Sequence, residues 1–560
     1  MYKYDQYDHT ILKQRVAEFK GQVERHFDGK LSAEDLMPLR LRNGLYMQIH
    51  AHMLRVAIPY GLLASDQLRA LAKVANTYDK GYGHFTTRQN IQFNWPELGD
   101  VPTILEDLAK VEMHAIQTSG NCIRNTTSDQ YAGVATDEIE DPRAYCEIIR
   151  QWSTLHPEFY WLPRKFKIAV SGAIEDRAAT QFHDIGIRIV KNDAGETGLQ
   201  MLVGGGLGRT PVVGKVIHEF LPKEHLLSYC DAILRVYNLY GRRDNKYKAR
   251  IKILVNALGI EKFKELVDAE WEQVKDSDLK LEPEDYDRMQ AFFPAPDYEE
   301  LSGADFDMAV ARVNKWRSLD SRFSDWYRQN TVDHKQPGYR IVNISLKAPG
   351  IAPGDATAAQ MDAIADIADR YSFGEVRVTH EQNLVLADVD QSQLLELWKE
   401  LDAIELATAN IGTVNDMICC PGLDFCALAN AGSIPIAKEI NKRFDELDEL
   451  YDLREVKLKM SGCMNACGHH HVGHIGILGV DKKGEEWYQL TVGGSASDDA
   501  ALGQRLGPAV AKDNVADAVS DIMQVYVEQR TGEERLLDTV RRVGVQPFKE
   551  RVYTELEGVA

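Results

Sequence analysis

Residues 85–95 read FTTRQNIQFNW, and residues 378–388 read VTHEQNLVLAD. Both carry a Thr-x-x-Gln-Asn core followed by an apolar-rich run, about 290 residues apart. Working outward, LRVAIPYG (54–61) pairs with LKAPG (346–350), KFKIAVSG (165–172) with KLKMSG (457–462), and LQMLVGGG (199–206) with YQLTVGGS (488–495). Four matches in one order at a nearly constant offset predict a duplicated unit. RVAIPYG, IQFNW and KFKIAVSG are short β-rich runs bounded by turn residues. DQLRALAKVANTYDK (66–80) and AAQMDAIADIADRYS (358–372) have helical spacing at matching places in the two halves. Each half therefore reads as mixed α and β. In this alignment Arg55 faces Lys347, and Arg88 faces Glu381. A two-fold scaffold with different chemistry on its two sides predicts one site built between the halves, where large cofactors are commonly held.

The predicted divisions are a helical arm (1–40), a first small unit (41–108), a first large unit (109–255), a linking region (256–335), a second small unit (336–405) and a second large unit (406–545). The chain has 560 residues, 44% hydrophobic and 27% charged, ordinary for a folded protein. Its 65 Lys and Arg against 85 Asp and Glu give a net charge of −20. That argues against a broadly basic nucleic-acid binder and leaves room for a local basic site. No apolar run is long enough for a membrane span. The opening MYKYDQYDHTILKQ has no apolar signal core, so a cytoplasmic protein is expected.

Five of the eight cysteines, Cys419, Cys420, Cys426, Cys463 and Cys467, fall in one stretch of the second half. Cys420 and Cys426 form C-x5-C, and Cys463 and Cys467 form C-x3-C. Four thiolates on two loops suit an iron–sulfur cubane. Zinc is the alternative, although it prefers shorter knuckles and the C-x5-C half fits it poorly. Buried structural cysteines are the bland reading, and spacing alone does not choose between Cys419 and Cys420. Gly462 and Gly468 flank the second pair and let backbone N–H groups approach the sulfurs. His469, His470 and His471 follow, read as a polar loop end, with a second metal site or a cofactor contact as alternatives.

Together these motifs resemble the siroheme-dependent nitrite and sulfite reductases, closest to the haemoprotein subunit of the assimilatory sulfite reductases. The family signature C-P-x4-C, then S-G-C-x-N-x-C-G, appears as CPGLDFC and SGCMNACG. TTRQNIQF, IRN (123–125), LPRKFK (162–167) and GGGLGRTP (204–211) look like family motifs in family order. The resemblance covers nearly all of 41–530. It implies a duplicated α+β fold, two-fold pseudo-symmetric, each half a ferredoxin-like small unit plus a larger α/β unit, with siroheme between them. It implies that Cys420, Cys426, Cys463 and Cys467 hold a [4Fe-4S] cluster, with Cys467 bridging to the siroheme iron. The proline after Cys420 favours Cys420 over Cys419 as the ligand.

Siroheme bears eight carboxylates, so its pocket needs cations. Arg88 and Gln92 read as one face of a strand, and in the family the matching residues contact siroheme. Arg209 of the glycine-rich segment is a further candidate, as is the basic run YGRRDNKYKARIK (240–252). For a small oxyanion on the distal side, the resemblance implies Arg55, Arg124, Lys165 and Lys167. Two lysines on one strand face repel unless an anion lies between them. Nitrite-type relatives tend to K-x-N here and sulfite-type ones to K-x-K, so Lys167 favours sulfite. The expected reaction is six-electron reduction of sulfite to sulfide in sulfur assimilation. Nitrite reduction to ammonia is the same-chemistry alternative, and a non-catalytic zinc or iron–sulfur scaffold the remote one. GGGLGRTP is not G-x-G-x-x-G and there is no Walker A pattern. Electrons are therefore expected from another protein, an NADPH-oxidising flavoprotein or a ferredoxin.

Overall fold

The structure, a computed structural model, describes residues 1–299, 303–445 and 452–558. The two quoted stretches are hairpin tips. In the first, Tyr82–Phe85 turns back onto Ile91–Phe93, which pairs with His52–Val56. In the second, Glu375–Val378 turns onto Leu384–Asp390, which pairs with Tyr339–Ile344. Gln89 and Gln382 take matching left-handed conformations in the two turns (φ 53° and 62°).

Each small sheet is completed by the other half. Leu62–Ala64 pairs with Glu375–Val378, and Asp355–Thr357 pairs with Tyr82–Phe85. Helices Ser65–Tyr78 and Ala358–Tyr371 lie against these sheets. The second starts at Thr357, whose side chain accepts from the Gln360 N–H in a capping box. Leu68, Leu71, Met361 and Ile364 from the two helices enter one core shared by both halves. The exchange makes the small units one folded body, because neither sheet is complete alone.

The large units keep separate cores. The first sheet runs Thr127–Ser128, Ile168–Ser171, Ile185–Lys191, Thr197–Val203, Lys215–Leu221. The second begins the same way with Ile418–Cys419, Leu458–Ser461, Ile475–Lys482 and Glu485–Val492. In both, the first three strands are parallel and the next antiparallel.

Strand register corrects the alignment at two places. Val56 opposes Ile91 as Ile344 opposes Leu384, so the counterpart of Arg55 is Asn343, not Lys347. Ile168 opposes Ile185 as Leu458 opposes Ile475, so Lys167 corresponds to Lys457 and Lys165 to Glu455. For Arg55 the match failed because the chain between the paired strands is longer in the second half, Ile344 to Leu384 against Val56 to Ile91; for Lys165 the spacing is the same in both halves and the similar Lys-x-Lys run misled. Arg88 does correspond to Glu381.

The region 256–335 is largely helical. Ile260–Val274 and Pro283–Gln290 place Phe263, Val267 and Met289 in the first large core. Gly303–Leu319 and Ser321–Asn330 place Val313, Phe323 and Trp326 in the shared core. The N-terminal arm is the helices Gln6–Phe27 and Ala33–Arg42. Helix Gln546–Gly558 extends the second large core past residue 545, through Phe548 and Val552. No helix among the described residues is long and apolar enough to cross a membrane.

Candidate functional site

A cavity of about 700 Å³ opens where the first small unit, the first large unit and the cysteine loops of the second large unit meet. Its wall includes Arg55, Arg88, Gln92, Arg124, Lys165, Lys167, Cys420, Cys426, Cys463 and Cys467. Arg42, Arg164 and Arg250 join them. No Asp or Glu among the described residues lines it, in a chain of net charge −20. Among the described residues, only Arg250 of these basic groups has a carboxylate partner, Asp184 at 2.7 Å. So many half-buried cations facing one cavity cost free energy unless anions neutralise them.

Arg55 lies on His52–Val56 directly opposite Gln92, whose side-chain oxygen accepts from Arg55 Nη2 at 3.1 Å. Its Nε is buried and without a partner, a donor left for a ligand. Arg88 does not share a strand face with Gln92. It stands on the hairpin turn, where its guanidinium meets the His183 ring, Thr127 Oγ1 (3.0 Å) and the Asn125 carbonyl (2.7 Å). Burial, then the nearby Arg124, pulls its pKa down to about 9. Arg124 is held by the Thr118 and Gly120 carbonyls.

Lys165 and Lys167 flank Phe166, which is fully buried, so alternation turns both ammonium groups the other way. Burial, then Arg124, pushes Lys165 down; burial, then Arg88 and Lys165, pushes Lys167 well down. Asp184 anchors the strand by accepting the Lys167 N–H at 2.8 Å while binding Arg250.

Arg209 is outside the cavity. It is exposed, with its guanidinium 4.9 Å from the centre of the Tyr247 ring. The glycine-rich segment instead meets the second half, where His471 Nε2 lies 2.9 Å from the Gly208 carbonyl. The residues missed individually are Arg42, Arg164, His183 and Arg250. Arg250 was signalled only by the basic run 240–252, and Arg164 only by its place before Lys165.

The four thiols come from two loops, and those of Cys420, Cys426 and Cys463 are each raised first by burial, with Cys467 also contributing. The Gly462 N–H donates to Cys420 Sγ at 3.1 Å. A Cβ on Gly468 would stand 1.8 Å from the Met460 carbonyl oxygen, so only glycine lets the loop lie there. No three His, Cys, Asp or Glu side chains among the described residues gather about one ion position. Tetrahedral zinc draws its ligands to a point, whereas the irons of a cubane each take one thiolate. Cys419 is buried behind Cys420, its Sγ against the Cys420 carbonyl.

The chain matches the nitrite and sulphite reductase 4Fe-4S domain over residues 119–275 and 412–559. It matches the nitrite/sulfite reductase ferredoxin-like half domain over 47–111 and 333–404. The chain belongs to the nitrite and sulphite reductase family. It is 27% identical over 554 residues to the Mycobacterium tuberculosis protein named sulfite reductase [ferredoxin], covering 96% of this chain and 90% of that one. It is also 27% identical over 528 residues to the assimilatory ferredoxin-dependent nitrite reductase of Haloferax mediterranei, covering 90% and 85%. The solved structure of the M. tuberculosis NirA protein shares the fold, with a TM-score of 0.77 at 23% identity and 97% coverage of both chains. The family's cofactors, siroheme and a [4Fe-4S] cluster, are those of this enzyme. The cationic wall, without Asp or Glu among the described residues, suits a tetrapyrrole with eight carboxylates, and four thiols on one cavity wall suit the cluster.

Proposed function

We propose that this member of the family reduces sulfite to sulfide. The observation that carries the reading is the pair Lys165 and Lys167, turned to one side of buried Phe166, with no carboxylate partner and no acidic cavity lining among the described residues. Cys420, Cys426, Cys463 and Cys467 would hold the cluster, and Arg88, Gln92, Arg164 and Arg250 would meet siroheme carboxylates. When bound, the siroheme iron supplies a site for the substrate's sulfur and the cluster supplies electrons to it. The chain's own part is electrostatic and acid–base. Arg55 and Arg124 are fixed by backbone and side-chain acceptors, so they hold oxyanion charge without reorganising. The lysines share that charge, and their lowered pKa values bring them toward the range in which a group releases a proton near neutrality. Each oxygen leaves as water, so proton supply on this side matters as much as binding.

Sulfite carries more charge and one more oxygen than nitrite, which is what a second lysine serves. The relatives named for ferredoxin support a ferredoxin as electron donor. Steady-state kinetics with each anion and a chemical reductant test the substrate. Higher kcat/KM for sulfite is expected, and a large preference for nitrite overturns the reading. Replacing the chemical reductant with reduced ferredoxin or with an NADPH-flavoprotein tests the donor.

A further inference from the structure

Ser433 stands at the N-cap of helix Ile434–Phe444, yet its side chain makes no capping hydrogen bond. Serine favours this position because its oxygen ordinarily accepts from the first-turn N–H groups. Here the hydroxyl lies 3.7 Å from Cys420 Sγ instead, and the residue is fully buried. Two glycines keep it there. A Cβ on Gly422 would come 2.7 Å from Ser433 Oγ, and one on Gly462 would come 3.0 Å from it.

The loop is braced from behind. The Asn430 and Ala431 N–H groups donate to the Gly462 carbonyl at 2.8 and 3.1 Å. Glu486 accepts the Gly432 N–H at 2.5 Å and pairs with Lys512 at 2.8 Å, while Tyr488 donates to the Gly432 carbonyl at 2.7 Å. Cys420 Sγ thus faces a side-chain hydroxyl as well as the Gly462 N–H. An iron-bound thiolate has no proton to give, so the hydroxyl is the donor.

We propose that Ser433 tunes the reduction potential of the [4Fe-4S] cluster by donating a hydrogen bond to the Cys420 thiolate. This rests on Cys420 being a cluster ligand. A hydrogen bond to a ligand sulfur favours the more negative, reduced cluster and raises its potential. The positive end of the helix that begins beside Ser433 acts in the same sense. Ser433 touches neither substrate nor siroheme in this account; it acts through the cluster's ligand.

The test is an EPR-monitored redox titration of the holoenzyme, Ser433→Ala and Ser433→Thr. Ser433→Ala should move the cluster midpoint to a more negative potential, and Ser433→Thr, which keeps the hydroxyl, should stay closer to the parent. An unchanged midpoint in Ser433→Ala with full cluster content overturns the proposal, as does an equal shift in Ser433→Thr. A parent enzyme with no [4Fe-4S] signal removes the ligand assignment itself, a distinguishable failure. If Ser433→Ala does not retain its cluster, electron–nuclear double resonance of the reduced parent enzyme in H2O and D2O decides. An exchangeable coupled proton at the Cys420 sulfur in addition to that of the Gly462 N–H sustains the proposal, and a single such proton overturns it.

Discussion

The cationic residues of the cavity have counterparts across the pseudo-two-fold, and the two sets differ in charge at nearly every matching position. Arg55, Arg88, Arg124, Lys165 and Lys167 on one side answer to Asn343, Glu381, Asn415, Glu455 and Lys457 on the other. The lone surviving cation is neutralised in place: Lys457 lies 3.1 Å from Glu455 and 3.9 Å from Glu381. Lys347 nearby is fully buried against Asp416 at 2.5 Å. The cysteine loops differ in reverse. Strand register puts Asp129 at the place of Cys420 and Arg177 at that of Cys467, and these two form a buried ion pair at 2.8 Å. On the second side Lys457, Lys347 and Arg177 are each paired with a carboxylate, while burial of Lys459 pulls its pKa down to about 8 against the opposing pull of Glu381. The other side leaves cations and four thiols on the wall of one cavity, an arrangement that anions and an iron–sulfur cluster would complete.

The lysines show the consequence. Burial lowers Lys167, and neighbouring cations lower it further. Burial also acts against the charge on Lys457, but Glu381 and Glu455 outweigh it and leave that pKa raised. Equivalent places on one fold thus hold a cation poised to bind an anion and a cation already bound.

The sharpest way to break the contrast is to import the silent copy's residues. Cys420→Asp with Cys467→Arg should abolish the cluster and sulfite reduction together. Optical and EPR spectra check this, and a retained [4Fe-4S] signal would contradict the ligand assignment. Lys165→Glu, the other copy's residue at the oxyanion site, should retain both cofactors and lower kcat/KM for sulfite by about 10²–10³, the usual cost of losing a preorganised charge donor. Kinetics beside iron and siroheme content measure it.

Much of this was legible in the sequence because spacing carries it. The two tip motifs fixed the existence and order of the halves, and the C-x5-C and C-x3-C pairs located the thiols. What escaped depends on turns and distance. Arg88 looked like a strand residue because it stands an even number of positions before Gln92 in a strand-like run, while the chain actually reverses between them. Arg209 looked like a carboxylate binder, but the glycine-rich segment carries it outward onto Tyr247. Arg250 reaches the cavity because Asp184, distant in sequence, holds its guanidinium, and no local pattern shows that pairing. The counterparts of Arg55 and Lys165 were misplaced by a few residues, since a similar tripeptide outweighed strand register.

A milder change sharpens substrate choice. Lys167→Asn should leave both cofactors bound and reduce sulfite turnover about tenfold to a hundredfold, with nitrite turnover reduced less. Equal losses for the two anions would count against Lys167 as the discriminating residue. The shifted lysines also give a pH dependence. Lys165 is lowered toward about 7, first by burial and then by Arg124, so it carries its charge fully only below that range. Sulfite affinity should weaken as pH rises through neutrality, and Lys165→Arg, whose guanidinium stays protonated, should flatten the profile. Anion titrations across pH check both.

The smallest effect belongs to the silent copy. Glu455→Gln removes one of the two carboxylates on Lys457 and also the 3.0 Å contact with Arg535. These groups are partly exposed, with side chains of Glu455 and Lys457 at 33% and 26%, so solvent screens much of the loss. The cost should be about 1 kcal/mol, nearer a surface pair than a buried one. Because Lys457 has a raised pKa in the fold, its stabilising contribution is present below its unfolded value and lost only as pH rises through the folded one. The melting temperature should therefore fall slightly at neutral pH, and the gap between variant and parent should narrow in strong alkali as the Lys457 part is lost and the Arg535 part remains. Sulfite kinetics should stay at the parental level. A large loss of turnover with little loss of stability would mean that the neutralised copy serves the reaction, and that the division of labour between the two halves is less complete than their charges indicate.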